Sequence, residues 1–99
     1  MMRRVVPLPF PSDPLVMSAR DLGRFARAAR TQSDLTLEAA AVALGVSKQT
    51  LQNLETGKDT VGLGMALHIL EGLGVALFAV PAELKERARR RLPEPNDAP

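Results

Sequence analysis

"EAAAVALGVSKQTLQNLETGK", residues Glu38 to Lys58, decides how this chain folds. Its first half is built for a helix: Glu38 favours the positive end of the helix dipole, and Ala39, Ala40, Ala41 and Leu44 propagate it. Thr36 stands before it as an N-cap. Gly45 then supplies the left-handed backbone angle that ends a helix in a sharp turn. Only two residues later Ser47 caps a new helix, which runs to about Thr56 and is closed by Gly57.

Two short helices joined by a tight glycine turn form a helix-turn-helix. A small side chain at Ala41 lets the two helices cross closely, and Leu44, Val46, Leu51 and Leu54 seal the inner side. The other side of the second helix stays free and carries Lys48, Gln49 and Gln52, with Ser47 at the tip and Asn53 beside them. Glutamine can pair bidentately with adenine, lysine can approach the acceptors of guanine, and a helix fits the major groove. Ser47, at a helix N-terminus, can meet a phosphate. Any one of these residues is ordinary on a polar helix face; the conjunction of small residue, glycine turn, two caps and polar tip points to DNA.

Residues 1–17 hold four prolines, at 7, 9, 11 and 14, and read as an extended N-terminal arm. A first helix starts after Ser18, with Asp21 at a capping-box position; Leu22, Phe25 and Ala29 form its apolar stripe and "TQSD" (31–34) ends it. A fourth helix spans about Gly62 to Leu73, with Leu63, Leu67, Leu70 and Leu73 expected inward, joined by Ile69. "VALFAV" (75–80), bounded by Gly74 and Pro81, is expected to be a strand. "AELKERARRR" follows Pro81 as a fifth, exposed helix, and "PEPNDAP" (93–99) is expected to be a disordered end. The predicted organisation is an arm over 1–17, a helix-turn-helix and dimerisation domain over 18–80, and a basic tail over 81–99.

The 99 residues suggest one domain, and with three phenylalanines and no Trp or Tyr the core must come from aliphatic residues. There is no cysteine, hence no disulfide, thiolate metal site or cysteine nucleophile. His68 is the single histidine and is expected at the surface or a dimer edge. The serines at 12, 18, 33 and 47 have no histidine base in a plausible triad, and the glycines at 62, 64, 72 and 74 are not followed by Lys-Ser/Thr, so they form no phosphate loop. No enzyme, metal or cofactor is expected. No apolar run spans a membrane and "MMRRVVPLPFP" does not read as a signal peptide, so a cytoplasmic, nucleoid-associated protein is expected. The net charge is +2. Arg20, Arg24, Arg27 and Arg30 form one basic cluster and Lys85, Arg87, Arg89, Arg90 and Arg91 another; such runs are either solvated faces or phosphate-binding footprints.

"LTLEAAAVALGVSKQTLQNLETGK" resembles the lambda-repressor-like (Cro/cI-type, XRE) domain, over about Ser18 to Val80. More narrowly, the Ser-led first helix, "ILEGLG" and the single strand "VALFAV" resemble the HipB-like antitoxins. The resemblance implies a mainly all-α domain of four to five helices, with one short C-terminal strand, Val75, Ala76, Leu77, Phe78, Ala79 and Val80, pairing with its copy across a homodimer. It implies base reading by Ser47, Lys48, Gln49 and Gln52. Phosphate contacts fall on Asn53 and Lys58, with Thr36 and Arg30 as further positions. Arg30 and Glu55 match a pair that joins the first helix to the end of the third. Leu37 replaces the family's glutamine, which removes one polar contact, and Thr56 replaces the asparagine after Glu55. The implied partners are double-stranded DNA with a palindromic operator, a second copy of the chain and a HipA-like kinase toxin. The basic tail would then be solvated or bind the toxin, since the lid strand points away from the recognition helices. A repressor without a toxin, or a protein-interaction module using the same fold, are the alternatives.

Overall fold

The structure, a computed structural model, describes residues 4–97. Five helices follow in order: α1 (Ala19–Gln32), α2 (Leu37–Leu44), α3 (Lys48–Glu55), α4 (Leu63–Gly72) and α5 (Lys85–Arg91). Their ends follow the local chemistry. The Ser18, Thr36 and Ser47 hydroxyls accept the backbone N–H of Asp21, Ala39 and Thr50 and so cap α1, α2 and α3. Asp21 reaches back to the N–H of Met17 at 3.0 Å, one residue earlier than a capping box requires. Gly45 ends α2 at φ 69°.

The core is assembled from small and aliphatic side chains. Ala26, Ala40, Ala41, Leu51, Leu54, Ala66, Ile69 and Leu70 form one buried cluster. Alanine at four of these positions lets the helices approach closely. Leu51, Ile69 and Leu70 are its largest fully buried members, each stabilising the fold by about 1.5–3 kcal/mol on leaving water. Leu37 packs against this cluster from the rim.

The register of α4 differs from the expected one. Leu63 is 72% exposed and Leu67 44%, whereas Ala66, Ile69 and Leu70 face inward and Leu73 lies at the edge of the core. "LGMALHILEG" is apolar almost all round, so its periodicity does not select a face. Packing selects it: the alanine of Ala66 admits the close approach that Leu63 or Leu67 would block. His68 is exposed, and its Nε2 lies 2.8 Å from the carbonyl oxygen of Leu44, to which it donates; this bond joins α4 to the end of α2.

Residues 75–80 form no strand ladder among the described residues; they run irregularly, with Phe78 82% exposed. A lone strand has nothing to pair with in one chain, so no ladder forms. The expected disordered end is corrected by the structure. Pro95–Asp97 form a 3-10 turn, and Asn96 grips the arm: its Oδ1 accepts the N–H of Phe10 at 2.9 Å and its Nδ2 donates to the carbonyl of Phe10 at 2.8 Å. Residues 98–99 of the tail and 1–3 of the arm lie outside the described residues. The arm is extended but docked. Its N–H at Leu8 donates to Thr31 Oγ1 at 3.0 Å, and Gln32 Nε2 donates to the Leu8 carbonyl at 2.8 Å. Prolines at 7, 9 and 11 carry no N–H, so Leu8 and Phe10 hold the only two donors in that stretch, and both are satisfied. Phe10 also packs its ring 5.9 Å from that of Phe25.

Candidate nucleic-acid interface

α3 divides into two sides. Leu51, Leu54 and Glu55 are buried, while Lys48, Gln49 and Gln52 are exposed and Asn53 is half-buried beside them. The division follows from the 3.6-residue period, which places positions 51, 54 and 55 on one stripe. Gln49 Nε2 donates to Asn53 Oδ1 at 2.8 Å, which steadies both amides one helical turn apart. Ser47 is already occupied as a cap: its hydroxyl accepts the Thr50 N–H and donates to Thr50 Oγ1 at 2.8 Å. What the tip offers outward is therefore the first-turn amides of α3 more than the hydroxyl.

Lys48 Nζ lies 2.8 Å from Glu38 Oε1, an ion pair in which both side chains are about half exposed (52% and 46%). An exposed pair of this kind contributes little to stability, so Lys48 remains available to an anion. Lys58 is exposed after the turn at Gly57, and Thr36 sits half-buried at the start of α2. Gly57, at φ 80°, also fits where any side chain would meet the backbone of Arg20, 2.7 Å away at Cα. Lys58 is thereby held close to the beginning of α1.

One pair locks this surface to the scaffold. Arg30 Nε donates to Glu55 Oε2 at 2.6 Å and Nη2 to Glu55 Oε1 at 2.9 Å, while Nη1 donates to the Leu35 carbonyl at 2.7 Å. The side chains are only 9% and 4% exposed. This fork-to-fork geometry is the strong form of a charge-assisted hydrogen bond. Three of the five guanidinium N–H groups are thereby used in a nearly buried side chain, which ties Arg30 to the scaffold first and to any phosphate second. Arg20, Arg24 and Arg27 remain exposed on α1. In the second basic cluster Arg89 is tied to Asp13 at 2.6 Å and to Glu86 at 3.1 Å. Those carboxylates, Asp13 first, raise its pKa and hold it charged.

The Lys48–Glu38 pair, the Asn96 grip and the tight crossing at Gly23, whose missing side chain leaves room for the Leu54 and Glu55 carbonyls, have no signal in the sequence. Each joins residues of different elements that are unremarkable locally. Among the described residues, no group of three or more His, Cys, Asp or Glu could hold a metal, and no helix is long and apolar enough to cross a membrane.

The fold matches solved HipB structures. A HipB–O4 20mer complex superposes with a TM-score of 0.61 at 24% identity, covering 69% of this chain and 96% of that one. A chain of a HipA–HipB–O2–O3 complex gives 0.61 at 22% identity, covering 69% and 96%. No curated protein sequence matches the chain significantly. The model of the helix-turn-helix domain family matches residues 21–81, which takes in α1 to α4 and the segment after them. The chain is a member of the helix-turn-helix domain family, with the all-helical fold seen in HipB.

Proposed function

We propose that this chain is a sequence-specific DNA-binding repressor of the HipB type, a non-enzymatic homodimer that represses its own operon and binds a HipA-like kinase toxin. The observation that carries the DNA reading is the outward side of α3: Lys48, Gln49 and Gln52 exposed together on a helix whose inner side is bolted by Arg30 and Glu55. Lys48, Gln49 and Gln52 read bases, the tip at Ser47 meets DNA through the first-turn amides of α3, and Asn53, Lys58 and Thr36 meet phosphates. The toxin role draws on the likeness to the HipA–HipB–O2–O3 complex. The protein then acts in the cytoplasm, on the nucleoid.

Gln49→Ala and Lys48→Ala are each expected to weaken specific binding by roughly 1–3 kcal/mol without changing the melting temperature. Fluorescence anisotropy on a duplex from the chain's own promoter measures this. Parental affinity in both variants removes α3 as the reading helix.

Dimerisation rests on residues 75–80. Leu77, Phe78 and Val80 are exposed, and an apolar segment open to water in this way invites aggregation unless a second copy pairs with it as a strand. Antiparallel pairing across a two-fold axis also presents two α3 helices to half-sites about one DNA turn apart. Leu77→Pro removes a donor from that ladder. It is expected to give a monomer in analytical ultracentrifugation with operator binding lost. A dimer that still binds would exclude the paired strands as the interface.

A further inference from the structure

We infer that the N-terminal arm is a second DNA-contacting element, with Arg4 and Arg27 forming a phosphate site beside the base-reading Lys48, and that the chain's own C-terminal turn holds the arm in place. The inference rests on the proposed DNA reading and adds a contact that the helix-turn-helix does not supply.

An open cavity of about 320 Å³ lies where the arm meets the starts of α2 and α3. Thr36, Glu38 and Lys48 line it together with arm residues 4, 5, 6 and 8 and with Arg27 of α1. Thr36 and Lys48 begin the two helices whose N-termini meet DNA in the proposed reading, so the arm borders the reading surface. The charges around the cavity favour an anion. Arg4 and Arg27 add two cations to a lining in which the Glu38 carboxylate is already met by Lys48. Arg30 also lines the cavity, but its charge is already matched by Glu55. Neither Arg4 nor Arg27 has an acidic partner among the ion pairs of the described residues.

The arm is positioned by two grips. The peptide groups of Leu8 are held by Thr31 and Gln32, and those of Phe10 by both ends of the Asn96 amide. From Leu8 to Arg4 the chain spans at most about 14 Å, so these grips keep Arg4 within reach of the cavity that it lines with Lys48. Ordering the arm in advance removes an entropic cost that a free tail would meet on binding. Asn96, distant from the cavity, is in this arrangement a positioning residue.

The test is anisotropy across a salt series, with a labelled promoter duplex and an unrelated duplex of equal length. Arg4→Ala is expected to weaken both by about three- to tenfold at low salt and to reduce the slope of log K against log salt by about 0.9, the signature of one phosphate contact. Asn96→Ala is expected to weaken binding in the parent and to have no further effect in the Arg4→Ala background; a merely structural role would lower affinity in both. An unchanged slope, or tighter binding showing that the arm occludes the surface, overturns the inference. If that happens while Gln49→Ala still weakens promoter binding, the DNA reading stands without the arm. If the parent binds the promoter no better than the unrelated duplex, the sequence-specific reading itself falls, and the inference resting on it falls as well.

Discussion

Glu55→Ala is expected to destabilise the protein by about 3–5 kcal/mol, the cost of leaving a buried guanidinium without its counter-charge. Arg30 loses acceptors at Nε and Nη2 and keeps only the Leu35 carbonyl. With the side chain 9% exposed, water cannot replace them. Small domains hold about 5–15 kcal/mol in total, so this is a large fraction. The melting temperature should fall by roughly 15–30 °C. The pair itself contributes less than this loss suggests. Arg30→Met with Glu55→Leu removes both charges and fills similar volume, and is expected to recover most of the stability. Urea or thermal melts of the single and double variants measure the difference. A single-variant loss below about 1 kcal/mol would place the pair in solvent-like surroundings. The functional consequence lies in geometry: the pair joins α1 to the last residue of α3, and without it the orientation of Lys48, Gln49 and Gln52 is no longer held.

What the sequence made legible was local. Thr36, Gly45 and Ser47 act within a few residues of themselves, and caps and turns have strong residue preferences, so α2, α3 and their junction could be placed from the letters. The outward side of α3 followed from helical period alone. What stayed hidden depends on neighbours. The inward face of α4 could not be read because Leu63, Met65, Leu67, Ile69 and Leu70 leave no polar side to exclude. The grip of Asn96 on Phe10 joins residues 86 apart in a stretch whose composition suggests disorder. Leu37 shows the same limit: its departure from the family pattern was visible, but its packing against the core was not. Arg30 was matched both to a phosphate and to Glu55, and only burial separates the two roles.

Gly23→Ala is expected to destabilise the protein by about 3 kcal/mol or more, the upper end of what overpacking costs. Helix propensity alone predicts the reverse, since Gly23 lies inside α1 and alanine is favoured there by about 1 kcal/mol. Sterics decide the sign. A methyl group at Gly23 would sit 2.8 Å from the carbonyl oxygen of Glu55, 3.0 Å from its carbon, and against the carbonyl oxygen of Leu54. These are backbone atoms at the end of α3, which cannot rotate aside as a side chain would, so α3 must move away from α1. That movement stretches the Arg30–Glu55 bonds and displaces the exposed side of α3, and DNA affinity should fall along with stability. Gly64→Ala supplies the opposite case in the same chain. Gly64 is on α4 with open space around it, and alanine there should be neutral or stabilising by up to about 1 kcal/mol. Urea midpoints of the two variants therefore should move in opposite directions or, at the least, Gly23→Ala alone should fall. A Gly23→Ala protein as stable as the parent would mean that α1 and α3 cross with more clearance than the structure allows, and the bolt between them would have to be sought elsewhere than in their close approach.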